Sequence, residues 1–453
     1  MYRSVLYRHA PLPMQEILLA LRARVRRALR EGGLFRMAME EVNATQWLNT
    51  EALETLQVQR LRALACHARR HIPHYRDSWA KAGIDPASFQ SLAEFRQLPL
   101  LDKPTVRTLG NRLWDGSWPD SPGRSSGTTG SPLQIHQDLM AVVWENAFSW
   151  RQLAWAGFRA GETRAWIRGD LIVPVKQDSP PFWRLNRDER MLLVSSYHLA
   201  PRHAPAILAA LTRHNPTLIE AYPSSIGFLA RWLEEHGTEY AGSSLRAIVT
   251  SSETLFDADR LRIQRRFGAK VFDCYGQVER VAATAVCEFG YRHALTDYGW
   301  FETLPRPDGE GEIVGTGLYN QVMPLFRYRT GDGVILENTS QPCPCGRAFP
   351  RLKATLGRCD DVVETPSGRR IGRLDHLFKG IQGVANTQIV QDRPDRVRIL
   401  LQPLGNKLSE ATLARVRANA RAYLGTDMTV VLETVAEIPQ TAAGKRQAVV
   451  RDC

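Results

Sequence analysis

Two groups of residues in this chain have types and spacing that could do chemistry. The first is Ser125-Ser126-Gly127-Thr128-Thr129-Gly130-Ser131-Pro132-Leu133, in which seven of nine residues are Ser, Thr or Gly. A turn of that kind brings backbone N–H groups and hydroxyls against an oxyanion, because no bulky side chain intervenes. It lacks the Gly-Lys-Ser/Thr ending of a Walker loop, and taken alone its composition suits a solvated linker equally well. The second group is Cys287-x5-His293, followed fifty positions later by Cys343-Pro344-Cys345. Cys₃His is a zinc ligand set, and two pairs brought together across a β-rich region would close a tetrahedron of structural rather than catalytic type. The alternative is buried thiols beside a turn.

These residues need elements to position them. Residues 165–167, 217–222, 247–250 and 270–275 read as short strands, alternating with helical stretches at 203–213, 225–236 and 256–267. That rhythm predicts an α/β fold: a large N-terminal domain with mostly parallel sheets flanked by helices, and a β-rich part from about 298 to 338. Ligands on such sheets sit past the carboxyl ends of the strands. The turns of interest are therefore Pro223-Ser224-Ser225, Ser251-Ser252-Glu253 and Gly276-Gln277-Val278-Glu279. Helices are also expected at 51–70 and 138–156, the latter with Trp144, Phe148, Trp150 and Trp155 as core. Beyond a joint at 357–361, a hairpin (362–371), a helix (408–424) and a strand (428–434) make a small α+β module.

Residues 14–30 form a basic amphipathic pattern. The favoured expectation is a helix docked on the main domain with its arginines in water; the alternative is an anionic membrane surface. The net charge of +12 carries no zinc-finger or RNA-binding signature, so no nucleic-acid partner is expected. Seven cysteines among 453 residues are no disulfide framework. No run approaches the ~18 apolar residues of a membrane span, and the cytoplasm is the expected compartment. His67, His71 and His74 read as surface or capping residues, and Arg164, Arg168, Arg184, Arg187 and Arg190 as solvated surface.

Taken in series, the motifs resemble those of the acyl-adenylate-forming superfamily, and within it the phenylacetate–CoA ligase-like proteins, including a branch found with capsule biosynthesis. Ser125 to Pro132 matches the family's phosphate loop, and Ser251-Ser252-Glu253 its adenine-contacting turn. Asp273-Cys274-Tyr275-Gly276-Gln277-Val278-Glu279 resembles its Tyr-Gly-x-Ser/Thr-Glu motif. Tyr328-Arg329-Thr330-Gly331-Asp332 matches its ribose-binding motif, Gly357-Arg358-Cys359-Asp360-Asp361 its hinge, and Pro439 to Lys445 the loop that delivers its catalytic lysine.

The resemblance implies ATP-dependent activation of a carboxylic acid to an acyl-adenylate, then transfer to the thiol of CoA. Phosphates would be held by Ser125, Ser126, Gly127, Thr128, Thr129 and Gly130. The rest of the nucleotide would meet Ser252, Glu253, Asp273, Tyr275, Gly276 and Asp332. Glu279 would ligate Mg²⁺, with Lys445 and Arg358 as further catalytic positions and Asp360 as the hinge. Some relatives carry a similar Cys/His set, consistent with zinc at Cys287, His293, Cys343 and Cys345. The domains implied are 1–356, a hinge at 357–361 and a mobile lid at 362–453. Tyr197, His198, Tyr222, Pro223 and Ser224 are candidates for the acid pocket, although aromatic residues there are equally a core signal. Val278 replaces the usual Ser/Thr before Glu279, and Ser131 stands where many relatives have Lys. Alternatives that remain are transfer to an amine or a carrier-protein thiol, and a non-catalytic nucleotide-binding paralogue. The pattern leaves a homodimer open.

Overall fold

The computed structural model describes the chain except at residues 1–6, 8, 31, 117–120, 125–132, 171, 175–176, 200, 254, 256, 307–309, 340, 359–362, 367–369, 372–373, 379–380, 382–383, 404–406, 437, 439–448 and 452–453. Two short strands, β1 (Gly123–Arg124) and β2 (Gln134–Ile135), form a separate antiparallel pair. Five strands make a parallel block: β3 (Arg164–Ile167), β5 (Met191–Val194), β6 (Leu218–Ala221), β7 (Ala247–Ser251) and β8 (Lys270–Gly276). At its edge lies antiparallel β4 (Trp183–Asn186). On the other side the sheet turns antiparallel through β9 (Ala283–Val286), β10 (Arg292–Ala294), β11 (Gly299–Pro305), β12 (Gly311–Gly317), β13 (Tyr328–Leu336) and β14 (Arg351–Arg358). The order across all twelve is β11-β12-β13-β14-β10-β9-β8-β7-β6-β3-β5-β4.

Apolar residues on both sides of the parallel block explain why it is covered twice, as parallel sheets must be. Ile219 and Ile248 pack with Leu211, Leu229 and Ile263, and Leu218 and Val249 with Val42, Phe148 and Trp155 on the opposite face. Helices on the N-terminal side include α1 (Leu12–Arg30), α2 (Gly33–Thr45), α3 (Thr50–His71), α4 (Pro73–Lys81) and α5 (Leu139–Trp155), with two shorter ones at Leu92–Phe95 and Lys103–Leu109. Asn49 caps α3 by accepting from Ala52 N at 2.8 Å, and Asp138 caps α5 by accepting from Ala141 N at 2.6 Å. Pro73 ends α3 as its sequence implies and also opens α4, proline being well suited to a first turn. Trp144, Phe148 and Trp155 are buried, in agreement with a core role.

Residues 384–451 carry a second sheet of four strands, built on the long antiparallel pair Val384–Arg393 and Arg396–Pro403. The helix Glu410–Leu424 supplies Val416, Ala420 and Leu424 to the core beneath it.

Part of the arginine-rich segment departs from the solvated reading. Arg184 is 3% exposed, donating to Pro181 O at 2.9 Å, and Arg164 pairs with Glu220 at 3.0 Å. Arg184 takes a buried position in the alternating strand β4, a periodicity the charges of residues 184–190 conceal.

Candidate functional site

The parallel register Ala221↔Thr250 and Thr250↔Asp273 sets the ends of β6, β7 and β8 side by side. Tyr222, Ser252 and Tyr275–Gly276 therefore share one edge of the sheet, where ligands of such folds bind. Ser252 has φ +71°, a left-handed conformation that reverses the chain at the end of β7. Its neighbour Glu253 is 9% exposed.

Two tyrosines each hold a carboxylate at this edge. Tyr275 Oη donates to Asp332 Oδ2 at 2.7 Å, and Tyr328 Oη donates to Glu279 Oε1 at 3.2 Å. Burial, then the facing carboxylate of Asp332, pushes the Tyr275 phenol well above its ordinary range, so it stays a donor. Asp332 sits after Gly331, whose φ is +74°, and its N–H donates to Thr330 Oγ1 at 3.1 Å. Glu312 pins the same turn, accepting from Arg329 Nη2 at 2.6 Å and from Gly331 N at 3.3 Å. Arg358 lies opposite Asp332 in the β13–β14 register.

Glu279 is aimed by glycines elsewhere in the sheet. The chain just after it, Arg280–Val281, runs over β11 and β12 so closely that a Cβ at Gly299 would lie 2.3 Å from Val281 O. A Cβ at Gly317 would lie 2.3 Å from Arg280 O. Only glycine permits that approach. Val278 in turn meets the base of the Ser/Thr/Gly loop: a Cβ at Gly123 would be 2.7 Å from Val278 Cγ1, and Gln137 Nε2 donates to Val278 O at 3.0 Å. The loop residues Ser125 to Gly130 lie outside the described residues, as do Asp360 and Lys445. Their flanking pair, with Arg124 opposite Gln134, closes the loop's base beside the Glu279 turn.

Asp273 is turned inward. It is 5% exposed and both oxygens are taken, Oδ1 by Thr250 Oγ1 at 2.7 Å and Oδ2 by Arg292 Nη2 at 2.5 Å. Arg292 also donates to Thr284 Oγ1 at 3.1 Å. Sequence reasoning missed Arg292: an arginine inside a short strand signals a buried partner, but nothing local says that the partner lies on β8.

Among the acid-pocket candidates, Tyr197 and Tyr222 converge on Gly169. Tyr197 Oη donates to Gly169 O at 3.1 Å, and a Cβ on Gly169 would stand 3.3 Å from the Tyr222 ring. Pro223 is buried at the start of the helix Pro223–Glu235, and Ser224 lies in its first turn. His198 is not with them. It stacks on Phe182 with centroids 5.0 Å apart and pairs with Ser195 Oγ at 2.8 Å.

The four metal-ligand candidates do come together. Cys287, His293, Cys343 and Cys345 are all buried, with ligand atoms within 4.8 Å of one another. Cys287 Sγ and Cys343 Sγ are 3.8 Å apart, and Cys345 Sγ lies 3.5 Å from His293 Nε2. With Zn–S of ~2.3 Å and Zn–N of ~2.0 Å, the edges of a tetrahedral site are about 3.8 Å and 3.5 Å. His293 Nδ1 donates to Phe349 O at 2.9 Å, which leaves Nε2 as the free lone pair facing the sulfurs. Burial pushes the Cys343 thiol up to about 12 where no cation is present. The donor set, its spacing and the outer hydrogen bond all fit a structural zinc.

Residues 363–452 match the CapK C-terminal domain family. The chain is 24% identical to the CapK protein of Staphylococcus aureus over 98% of both chains. It is 27% identical to the phenylacetate–coenzyme A ligase of Thermus thermophilus, over 70% of this chain and 72% of that one. The Escherichia coli phenylacetate–coenzyme A ligase is 26% identical over 70% and 73%. Among solved structures, a 2-hydroxyisobutyryl-CoA ligase in the postadenylation state superposes with TM-score 0.59 at 21% identity, covering 90% of this chain and 91% of that one. That last likeness speaks to the fold, which is the acyl-CoA ligase fold. The chain is thus similar to CapK along its whole length and to phenylacetate–CoA ligases over about 70% of it, with residues 363–452 matching the CapK C-terminal domain family.

Proposed function

We propose that this protein is an AMP-forming acid–thiol ligase. A carboxylate oxygen of the substrate attacks the α-phosphorus of ATP, the bond to pyrophosphate breaks, and an acyl-adenylate forms. The sulfur of CoA then attacks the acyl carbon and AMP leaves. All the first-step reactants are anionic, so charge neutralisation and alignment are the main tasks. The observation that carries this reading is the pair of tyrosine-held carboxylates at one sheet edge. Asp332, held by Tyr275, is the carboxylate for the ribose hydroxyls, and Tyr275 presents its ring to the adenine side. Glu279, held by Tyr328, is the carboxylate for Mg²⁺, an ion that offsets phosphate charge when bound. The loop Ser125 to Gly130 holds phosphates, with Ser252, Glu253 and Gly276 walling the base. Lys445 supplies the cation between carboxylate and phosphate, Arg358 lies across from Asp332, and Asp360 is the hinge between domains 1–356 and 362–453. Asp273 acts as a positioning residue, because its oxygens are already used. Tyr197, Tyr222, Pro223 and Ser224 line the acid side, and His198 supports them from the core. Cys287, His293, Cys343 and Cys345 hold zinc.

A second reading keeps the adenylate and changes the acceptor to an amine or a carrier-protein thiol. The match of residues 363–452 to the CapK C-terminal domain favours it, because the lid is the part that presents the acceptor. Pyrophosphate release measured across a panel of carboxylic acids, with CoA or hydroxylamine as trap, separates the two. CoA-dependent thioester formation supports the first; acid-dependent release that is indifferent to CoA supports the second. Absence of release with every acid removes both.

A further inference from the structure

Helix α1 is apolar on two sides. Its inner side seats Gln15, Leu19 and Ala23, exposed by only 4%, 3% and 3%, against the sheet edge at β4. Its outer side carries Met14, Ile17, Leu21 and Val25, exposed by 51%, 63%, 57% and 56%. Steps of three and four residues put these four in one row. Scattered exposed apolar residues are ordinary, whereas a continuous row on one helix marks an interaction surface.

The charge around the row says what it fits. Residues 22–30 hold five arginines and no acid, and Glu16 is the helix's only carboxylate. Arg22 and Arg24 border the apolar row on its two sides by helical periodicity. Arg24 keeps 72% of its side chain in water while pairing with Asp188 at 3.2 Å, and Arg27 keeps 43% while reaching the same carboxylate. The whole chain carries +12.

We infer that the outer face of α1 docks on an anionic lipid surface, lying in its plane with the Met14–Val25 row in the headgroup boundary and the arginines among the headgroups. No described helix is long and apolar enough to cross a membrane, and docking in the plane needs none. A second copy of the chain fits the face less well. Paired in parallel it would set arginines against arginines, and paired antiparallel it would set them against the partner's apolar half. The inference does not depend on which acid, if any, the nucleotide site activates.

Co-sedimentation of the full chain with phosphatidylcholine vesicles, with and without phosphatidylglycerol, tests it. Binding is expected only with the anionic lipid, and raising the salt should weaken it. Ile17→Glu with Leu21→Glu should abolish binding. Arg22→Gln with Arg24→Gln should weaken it about thirtyfold. All four side chains are exposed, so circular dichroism should show an unchanged fold. Equal binding to both vesicle types, no binding at low salt, or full binding by Ile17→Glu/Leu21→Glu would overturn the proposal. So would a dimer in sedimentation equilibrium that the double glutamate variant converts to monomer without affecting vesicle binding.

Discussion

Arg292 grips Asp273 at 2.5 Å from the strand position next to His293. Alternation along β10 turns His293 into the cysteine cluster and Arg292 to the other face, beneath β8. One three-residue strand thus joins the metal-ligand cluster to the turn that carries Tyr275 and Glu279. Replacing Arg292 by Met leaves the buried Asp273 carboxylate without its cation, a change that costs about 3–5 kcal/mol. Urea unfolding should show that loss. Thr250→Val removes a neutral donor and should cost about 1 kcal/mol.

The cysteine cluster predicts one zinc per chain, measurable by elemental analysis of purified protein. Binding to the folded state alone adds about 4 kcal/mol at free zinc a thousandfold above its Kd. A chelator, or Cys343→Ser, should therefore lower the melting temperature, and zinc should restore it only in the unsubstituted chain. A metal content near zero would remove the site.

Tyr275→Phe keeps the ring and removes the donor to Asp332. Loss of one such hydrogen bond is worth about 1 kcal/mol, so ATP affinity by calorimetry should fall about fivefold while the melting temperature changes little. Unchanged affinity would show that Asp332 needs no help from Tyr275 to meet the nucleotide.

His198 sets an acid limit. Burial lowers its pKa from 6.5 to about 4. Below pH 6.5 the unfolded chain takes up a proton that the native side chain refuses. Stability is therefore intact above pH 6.5 and declines as pH falls towards 4, by about 3 kcal/mol at most. His198→Gln should flatten that part of the stability–pH curve, measured by urea midpoints between pH 4 and 7. A slope that persists would assign the effect to other histidines or to carboxylates.

The parallel half of the fold was legible because Ala247 to Thr250 and Lys270 to Tyr275 are apolar runs bounded by helices, so the strand ends could be named as the site edge. The β4–β5 hairpin was not, because Arg184 and the charges at 187–190 mask its alternation; only the structure shows Arg184 taken up by Pro181 and the sheet edge. Within the site, the motif residues Tyr275, Glu279 and Asp332 were recognisable in sequence, and the structure adds who holds whom. The Tyr275–Asp332 contact spans 57 positions and Tyr328–Glu279 spans 49, distances over which no local pattern operates. Asp273 looked like a ligand contact from its place in the motif. Its partners, Thr250 and Arg292, sit on the neighbouring strand β7 and on β10 two strands away, where a linear reading cannot reach. The Cys/His spacing was legible as ligand pairs; their convergence rests on β9 and β10 pairing.

Acid-dependent exchange of labelled pyrophosphate into ATP tests the central proposal most directly. The unsubstituted chain should exchange with at least one carboxylic acid. Lys445→Ala should abolish that exchange while calorimetry still shows ATP binding. Exchange that survives Lys445→Ala, or no exchange by the unsubstituted chain with any acid, would contradict an adenylate-forming enzyme.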